Sequence, residues 1–253
     1  ERIIRGMRGL EHFILTKFNV GLYTKPLAEK KGRPFKGNCW MEHRLRLFAE
    51  YCFPSVINQV NQEFTWVLLL DPETPAKYLS ELKRYQRIFP QIRLCIGGWF
   101  DHHLKHLLKK NTTFVITTRL DNDDALHRKA ISYIQKNFTE DKCRLYGFPL
   151  GYHLAGKNLY LNRSGCYSFL SLVEKVRRLH GELKIRTVRC PRHLEFYKSS
   201  PIKFLQPDTP MWLQVIHDRN LVNQAKGRPI SLSRLNRRDF GLSRRGGESD
   251  GKI

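Results

Sequence analysis

Acidic residues are scarce in this chain: 23 Asp and Glu stand against 45 Lys and Arg in 253 residues, a formal charge of +22. A field of that sign attracts polyanions such as nucleic acid, anionic lipid headgroups or phosphorylated small molecules, and it also simply keeps a surface solvated. It does not choose among them. Cysteine is sparse and scattered (Cys39, Cys52, Cys95, Cys143, Cys166 and Cys190), with no C-x-x-C pair. Zinc sites and disulfide frameworks use tighter spacing, so a reduced, cytoplasmic setting with cysteines as small core residues is expected. No apolar stretch approaches the roughly 18–20 residues of a membrane span. The first ten residues, ERIIRGMRGL, have too little apolar length for a signal peptide. Met7 is read as the natural start, with residues 1–6 upstream of it. Internal repeats are missing as well. What is present is ordinary globular material, 41% hydrophobic and 27% charged, enough to bury a core in one large domain or two small ones.

Along the chain, short apolar runs alternate with helical patterns. HFILTKFNV (12–20) reads as a buried strand, followed by a basic loop with Gly and Pro through Asn38. Trp40, Leu45, Leu47, Phe48, Tyr51 and Cys52 give a helical apolar face that Pro54 is expected to stop, with a shorter turn from Ser55 to Val60. Strands are predicted at Phe64–Leu70, Ile92–Ile96 and Thr113–Thr118. Helices are predicted from the Asp71–Pro75 turn to Phe89, over Phe100–Leu108, Ala125–Phe138 and Tyr167–Leu179. Leu145–Pro149 and Gly151–Leu161 read as an antiparallel strand pair. From about Ala225 the pattern dissolves into Arg234, Arg237, Arg238, Arg244 and Arg245 among Ser and Gly. The expected organisation is therefore one domain over residues 8–224 and a basic, flexible tail over 225–253. Strand–helix alternation predicts an α/β fold: a mostly parallel, Rossmann-like sheet flanked by helices, with a small antiparallel element. Ligands of such sheets bind beyond the carboxyl ends of the strands, which places Asp71 and Asp121–Asp124 on one rim.

In a chain so short of acids, Asp121-Asn122-Asp123-Asp124 packs three carboxylates into four residues. They repel one another unless something positive neutralises them. A hard dication, Mn²⁺ or Mg²⁺, prefers such oxygens and commonly adds substrate phosphates. Asp121 and Asp123, at i and i+2 on an irregular turn, can point to one ion, leaving Asp124 to cap the helix expected from Ala125. The plainer alternative is that all three serve that helix's positive end. Arg119, two residues earlier, can pair with a phosphate, with Asp121, or in a structural salt bridge.

The strand–loop–helix TFVITTRLDNDDALH (113–127) resembles the DxD region of GT-A glycosyltransferases. HFILTKFNV (12–20), RLRLFAEYCFPSVINQVNQEFTWVLLLDPETP (44–75) and MWLQVIHDRNLVNQ (211–224) resemble, more specifically, the bacterial rhamnosyltransferase family. The resemblance implies a GT-A fold and an inverting transfer of a sugar, rhamnose by family, from a nucleotide-diphosphate donor to a saccharide or glycolipid acceptor. It implies Asp121 and Asp123 as metal ligands and Asp71 beside the nucleoside, with Thr16 and Asn19 in the nucleotide pocket and Arg119 and Asp121 against the donor. His217, which closes the run Met211–Ile216, is the late metal partner by this resemblance, or else a satisfied histidine at a strand end. Asn220 is a polar contact or a turn residue. Asp218, Glu195 and Asp101 remain open as the base that deprotonates the acceptor.

His102, His103 and His106 have a spacing that can bind zinc, with a solvated helix face as the plainer reading. The basic tail is a candidate for peripheral contact with anionic lipid at the inner face of the membrane, or an end with no partner. Two other functions fit parts of the sequence. An aspartyl-nucleophile phosphatase needs its first Asp straight after the strand, whereas Arg119 and Leu120 intervene and no downstream acidic pair follows. A nucleic-acid binder would use the charge, but no helix-turn-helix, zinc-finger or RNP motif is present and the acidic cluster goes unexplained, so no specific nucleic acid is expected.

Overall fold

The computed structural model describes residues 9–23, 37–140, 144–165, 167–180, 182–189, 201–218 and 224–243. Met7, Cys143, Cys166, Cys190, Glu195, Asn220, Arg244 and Arg245 lie outside them. In chain order the elements begin β1 (Leu10–Lys17), α1 (Gly37–Leu47), α2 (Phe53–Ile57), β2 (Thr65–Leu70), α3 (Ala76–Ile88), β3 (Ile92–Ile96), α4 (Phe100–Leu107) and β4 (Phe114–Arg119). They continue with β5 (Ala125–Leu126), α5 (Ala130–Lys136), β6 (Arg144–Gly147), β7 (Gly151–Ala155), β8 (Asn158–Asn162), β9 (Ser171–Lys175), β10 (Arg177–Leu179) and β11 (Glu182–Lys184). The last are β12 (Ile202–Phe204), β13 (Trp212–Ile216) and β14 (Arg228–Ile230).

A seven-stranded sheet runs β12-β6-β9-β4-β1-β2-β3. β4, β1, β2 and β3 are mutually parallel, and β9 is inserted antiparallel between β4 and β6. β1, β2 and β4 are buried on both faces along nearly their whole length. Ile14, Leu68, Leu70 and Ile116 face one core with Phe48, Phe53 and Leu82 of the neighbouring helices. Their sequence neighbours Phe13, Leu15, Val67, Leu69 and Val115 face a second core with Phe100 and Leu104 of α4. Each such large side chain contributes about 1.5–3 kcal/mol by leaving water.

A second sheet, β14-β8-β7-β13-β5, flanks the first. Its β13 pairs parallel to β7 and antiparallel to β5. Gly151 begins β7 where a Cβ would stand 2.0 Å from the Trp212 ring, so only glycine lets the two strands close.

Four expectations change. Pro54 does not end the first helix: a π-helical turn, Phe48–Cys52, carries the chain straight into α2, with Pro54 in its first turn. The helix expected from Ala125 begins at Ala130, because Ala125 and Leu126 pair with Leu213 and Trp212 instead. Tyr167–Leu179 is a short 3₁₀ turn followed by β9 and β10, since Leu172 and Val173 are drawn to opposite faces of the main sheet. The strands around Leu145 and Gly151 do not pair with each other. β6 belongs to the large sheet, while β7 forms its hairpin with β8.

The expected domain end at 224 and the flexible tail also need correction. Residues 228–243 form β14 and two 3₁₀ turns whose Leu235, Phe240 and Leu242 are buried against Tyr51, Ala125 and Tyr152. Asp239 accepts the Arg128 N–H at 2.6 Å through its carbonyl. Gly241, at φ +68°, passes so close to the Pro54 carbonyl that a Cβ would stand 2.3 Å from it. Three apolar anchors among arginines and serines are enough to dock a segment that has no periodicity.

Candidate functional site

The carboxyl ends of β1, β2 and β4 carry Lys17, Asp71 and the Asp121–Asp124 turn, as the parallel topology requires. On the β2 side, Asn19 shapes the turn. Its Oδ1 accepts the Asp71 N–H at 3.1 Å and its Nδ2 donates to Thr74 Oγ1 at 2.9 Å. The Asp71 carboxylate is buried and accepts the backbone N–H groups of Glu73 at 3.0 Å and Tyr23 at 3.4 Å. Thr16 is fully buried, and its hydroxyl accepts from the Trp66 indole at 3.0 Å, so that side chain belongs to the core beneath the rim.

The acidic turn is interleaved with guanidiniums. Asp121 is held from one side by Arg119, at 2.8 Å, and from the other by Arg189, which also donates to the carbonyls of Leu15 and Leu120 at 3.1 and 3.2 Å. Burial alone would raise its carboxyl, but Arg119 and Arg189 win and hold it well below the usual carboxylate range. Arg119 thus makes the Asp121 pair, one of the alternatives open from sequence. Asp123 is buried and ion-paired to Arg44, which also donates to Asn122 Oδ1 at 3.2 Å, while Asn122 Nδ2 donates to the Phe18 carbonyl at 2.9 Å. Asp124 does not cap a helix. Its Oδ1 accepts the Val215 N–H at 2.9 Å, fastening the turn to β13. Burial first, then Asp123 and Asp121, push the Asp124 carboxyl well up.

Three guanidiniums, Arg44, Arg119 and Arg189, meet the turn's carboxylates, of which Asp124 is pushed toward its neutral form by burial. Lys17 adds to the same side, its pKa lowered by burial and by the nearby Arg189 and Arg119, against the opposing pull of Asp121. Its ammonium also lies over the Trp99 ring, 5.2 Å from the centroid. The rim is therefore locally cationic around an acidic motif, the condition in which a phosphate group is welcome.

His217 meets the cluster from β13. Its Nε2 lies 2.9 Å from Asp123 Oδ2 and its Nδ1 lies 3.3 Å from His43 Nε2 of α1. Asp218 is next to it and exposed. Asp101 is exposed in a different groove, shared with Phe114, Lys175 and Arg186. Phe114 begins β4 at the end opposite the acidic turn. His103 Nε2 donates to the Gly97 carbonyl at 2.6 Å, and His102 and His106 are exposed on α4, the solvated arrangement.

Sequence reasoning missed Arg44, Arg189 and His43. Arg44 had a signal: it shares the buried face of α1 with Met41, three residues earlier, and precedes buried Phe48 by four, so a charge stands on an apolar stripe. His43 and Arg189 had none, since His43 lies on a partly exposed face and Arg189 follows β11 in irregular chain.

A Mn²⁺ or Mg²⁺ bridging Asp121 and Asp123 can be weighed against these contacts. Both Asp121 oxygens face guanidiniums, and Asp123 Oδ2 is shared by Arg44 and His217. An ion between the two carboxylates would have to displace arginines on both sides. As arranged, the pair does not fit a bridging cation.

A parallel sheet with its polar cluster at the carboxyl rim, joined to a smaller mixed sheet, is a mixed α/β architecture with a Rossmann-like core. The chain belongs to the family described as "Putative rhamnosyl transferase", whose pattern matches residues 16–146, from the end of β1 to β6. It is thus a member of a glycosyltransferase family. No curated protein matches it. Among solved structures it is similar to S. aureus TarS 1–349 in complex with UDP, at 12% identity and a TM-score of 0.34, over 58% of this chain and 37% of that one. A second S. aureus TarS structure matches at 13% identity and 0.33, over 57% and 22%. The chain therefore spans well under half the length of these structures. Among the described residues no helix is long and apolar enough to cross a membrane.

Proposed function

We propose that this protein transfers a sugar, rhamnose by family, from a nucleoside-diphosphate donor to a saccharide or glycolipid acceptor. The observation that carries this reading is the convergence of Lys17, Arg119 and Arg189 around Asp121 at the carboxyl rim. Crowded like charges, one of them a lysine already pushed toward neutrality, are relieved by an anion with several oxygens. A diphosphate is such an anion.

In this reading the Arg119 and Arg189 guanidiniums face the donor diphosphate, and Asp121 fixes their orientation. As the glycosidic bond to the diphosphate breaks, charge grows on the departing oxygen, and prepositioned guanidiniums stabilise it without reorganising. The sugar passes through an oxocarbenium-like state, as in other glycosyl transfers. Asp71, clamped by Asn19, lines the β2 end of the same rim and is proposed to face the nucleoside. Trp99, nearly half exposed beside Lys17, offers an aromatic face to a sugar or base. Inversion at the anomeric carbon is part of the proposal, as is peripheral contact of the basic segment 225–253 with anionic membrane.

The experiment is turnover against UDP-, GDP- and dTDP-sugars, with saccharide and glycolipid acceptors, followed by NMR of the product anomer. Transfer from one donor with inverted configuration is expected. Absence of transfer and of slow donor hydrolysis across the panel would count against the reading.

A further inference from the structure

We propose that His43, His217 and Asp218 form a binding site for a nitrogen-preferring divalent metal of the Zn²⁺ class, with Asp123 as the carboxylate that orients His217. The three side chains place one possible ligand atom each within 4.8 Å of one another. His43 Nε2 and His217 Nδ1 are 3.3 Å apart. Two imidazole nitrogens bound to one tetrahedral ion at about 2.0–2.1 Å stand roughly 3.4 Å from each other.

The tautomer follows from the second contact. Asp123, ion-paired to Arg44, offers His217 Nε2 an acceptor at 2.9 Å, which selects the tautomer with its proton on that nitrogen. The lone pair then sits on Nδ1, facing His43. A carboxylate behind a histidine whose other nitrogen faces an ion is the usual supporting arrangement of metal sites, and it raises the basicity of the ligating nitrogen. Both ends of this relay are anchored by consecutive residues of α1, since His43 meets His217 and Arg44 meets Asp123.

The donor set narrows the metal. Two imidazoles and one carboxylate favour Zn²⁺ or Co²⁺ over Mn²⁺, and disfavour Mg²⁺, which demands oxygen ligands. Three protein ligands leave a coordination position for water or for a phosphate or hydroxyl oxygen, and the exposure of Asp218 leaves that side open to solvent. This site is displaced from Asp121, whose oxygens face Arg119 and Arg189.

The test is Co²⁺ titration of the full chain without any donor, followed by visible absorption and by displacement with Zn²⁺. The wild type is expected to bind Co²⁺ with the ligand-field bands of a low-coordinate, nitrogen-containing site. Zn²⁺ should displace it stoichiometrically, and Mg²⁺ should not. His43→Ala and Asp218→Asn should each abolish the bands or weaken binding strongly, and Asp123→Asn should weaken it about 10–100-fold. Asp121→Asn should leave the spectrum unchanged. His43→Asn, with circular dichroism as the fold check, replaces the alanine variant if that one unfolds. No Co²⁺ bands in the wild type would overturn the proposal. So would bands that survive His43 and Asp218 substitution, or that vanish with Asp121→Asn alone. With no donor present, the outcome bears on the metal site and leaves sugar transfer to its own test.

Discussion

Arg44→Met removes a cation from a place where its partner cannot reach water. The Arg44 and Asp123 side chains are 11% and 4% exposed, so the substitution strands a buried carboxylate with His217 as its remaining polar contact among those described above. It also removes the hydrogen bond to Asn122, while methionine keeps part of the packing on Trp40, whose ring centroid lies 5.0 Å from the guanidinium carbon. Breaking a buried pair from one side costs about 3–5 kcal/mol. Among the described residues Arg44 Nε has no hydrogen-bond partner, so part of its desolvation is unrewarded and the lower end is expected. Urea unfolding in the presence of a chelator should show a fall of about 3 kcal/mol with an unchanged m-value, or roughly 6–12 °C in Tm at about 2–4 °C per kcal/mol. The sharper part concerns the double variant. Arg44→Met with Asp123→Asn has no stranded charge, so it should be more stable than the sum of the single losses by about 0.5–3 kcal/mol. A single loss below about 1 kcal/mol, or strict additivity in the double variant, would refute the buried-pair argument.

Three further outcomes are expected. Asp121 titrates below the usual carboxylate range because Arg119 and Arg189 outweigh its burial, so it contributes stability above its unfolded pKa of about 3.9 that is lost as pH falls through its folded value. Asp121→Asn should therefore flatten the stability curve below about pH 4, and an unchanged acid limb would contradict the pairing. His12 is buried, its Nε2 2.7 Å from Thr118 Oγ1, and burial lowers its pKa to about 3. The unfolded chain thus binds a proton that the folded one refuses between about pH 6.5 and 3, and stability should fall there by up to about 1.4 kcal/mol per pH unit, a slope that His12→Asn removes. Phe240→Ala should destabilise by about 3–5 kcal/mol, as in any well-packed core, and a loss under 1 kcal/mol would show that the segment beyond 224 is not docked.

The elements legible in the sequence were those whose pattern is decided locally. β2, α3, β3 and α4 fall within a residue or so of expectation, because each is a short apolar run or a single amphipathic stripe between clear breakers. Ser171–Lys175 was not legible, since SLVEK becomes a strand only through the edge that β4 and β6 offer on either side. Ala125–Leu126 likewise extends because β13, some ninety residues later, supplies partners. The tail was misread for a compositional reason: its arginines mask three anchors that matter only against a surface no local rule describes. At the site, the rim and its acidic turn followed from topology and from the scarcity of acids. Of the counter-charges, Arg119 was legible as a local partner of Asp121, and the distant ones were not. Arg189 reaches Asp121 from 68 residues away, and the His43–His217 contact joins positions 174 apart.

Titrating donors into wild type and Arg189→Met tests the cationic rim as a diphosphate site most directly. Calorimetry with UDP-, GDP- and dTDP-sugars should show a donor that binds the wild type and loses about tenfold or more in affinity with Arg189→Met, the loss of one charge-assisted hydrogen bond. Binding of no donor in the panel, or equal affinity in the two proteins, would contradict it.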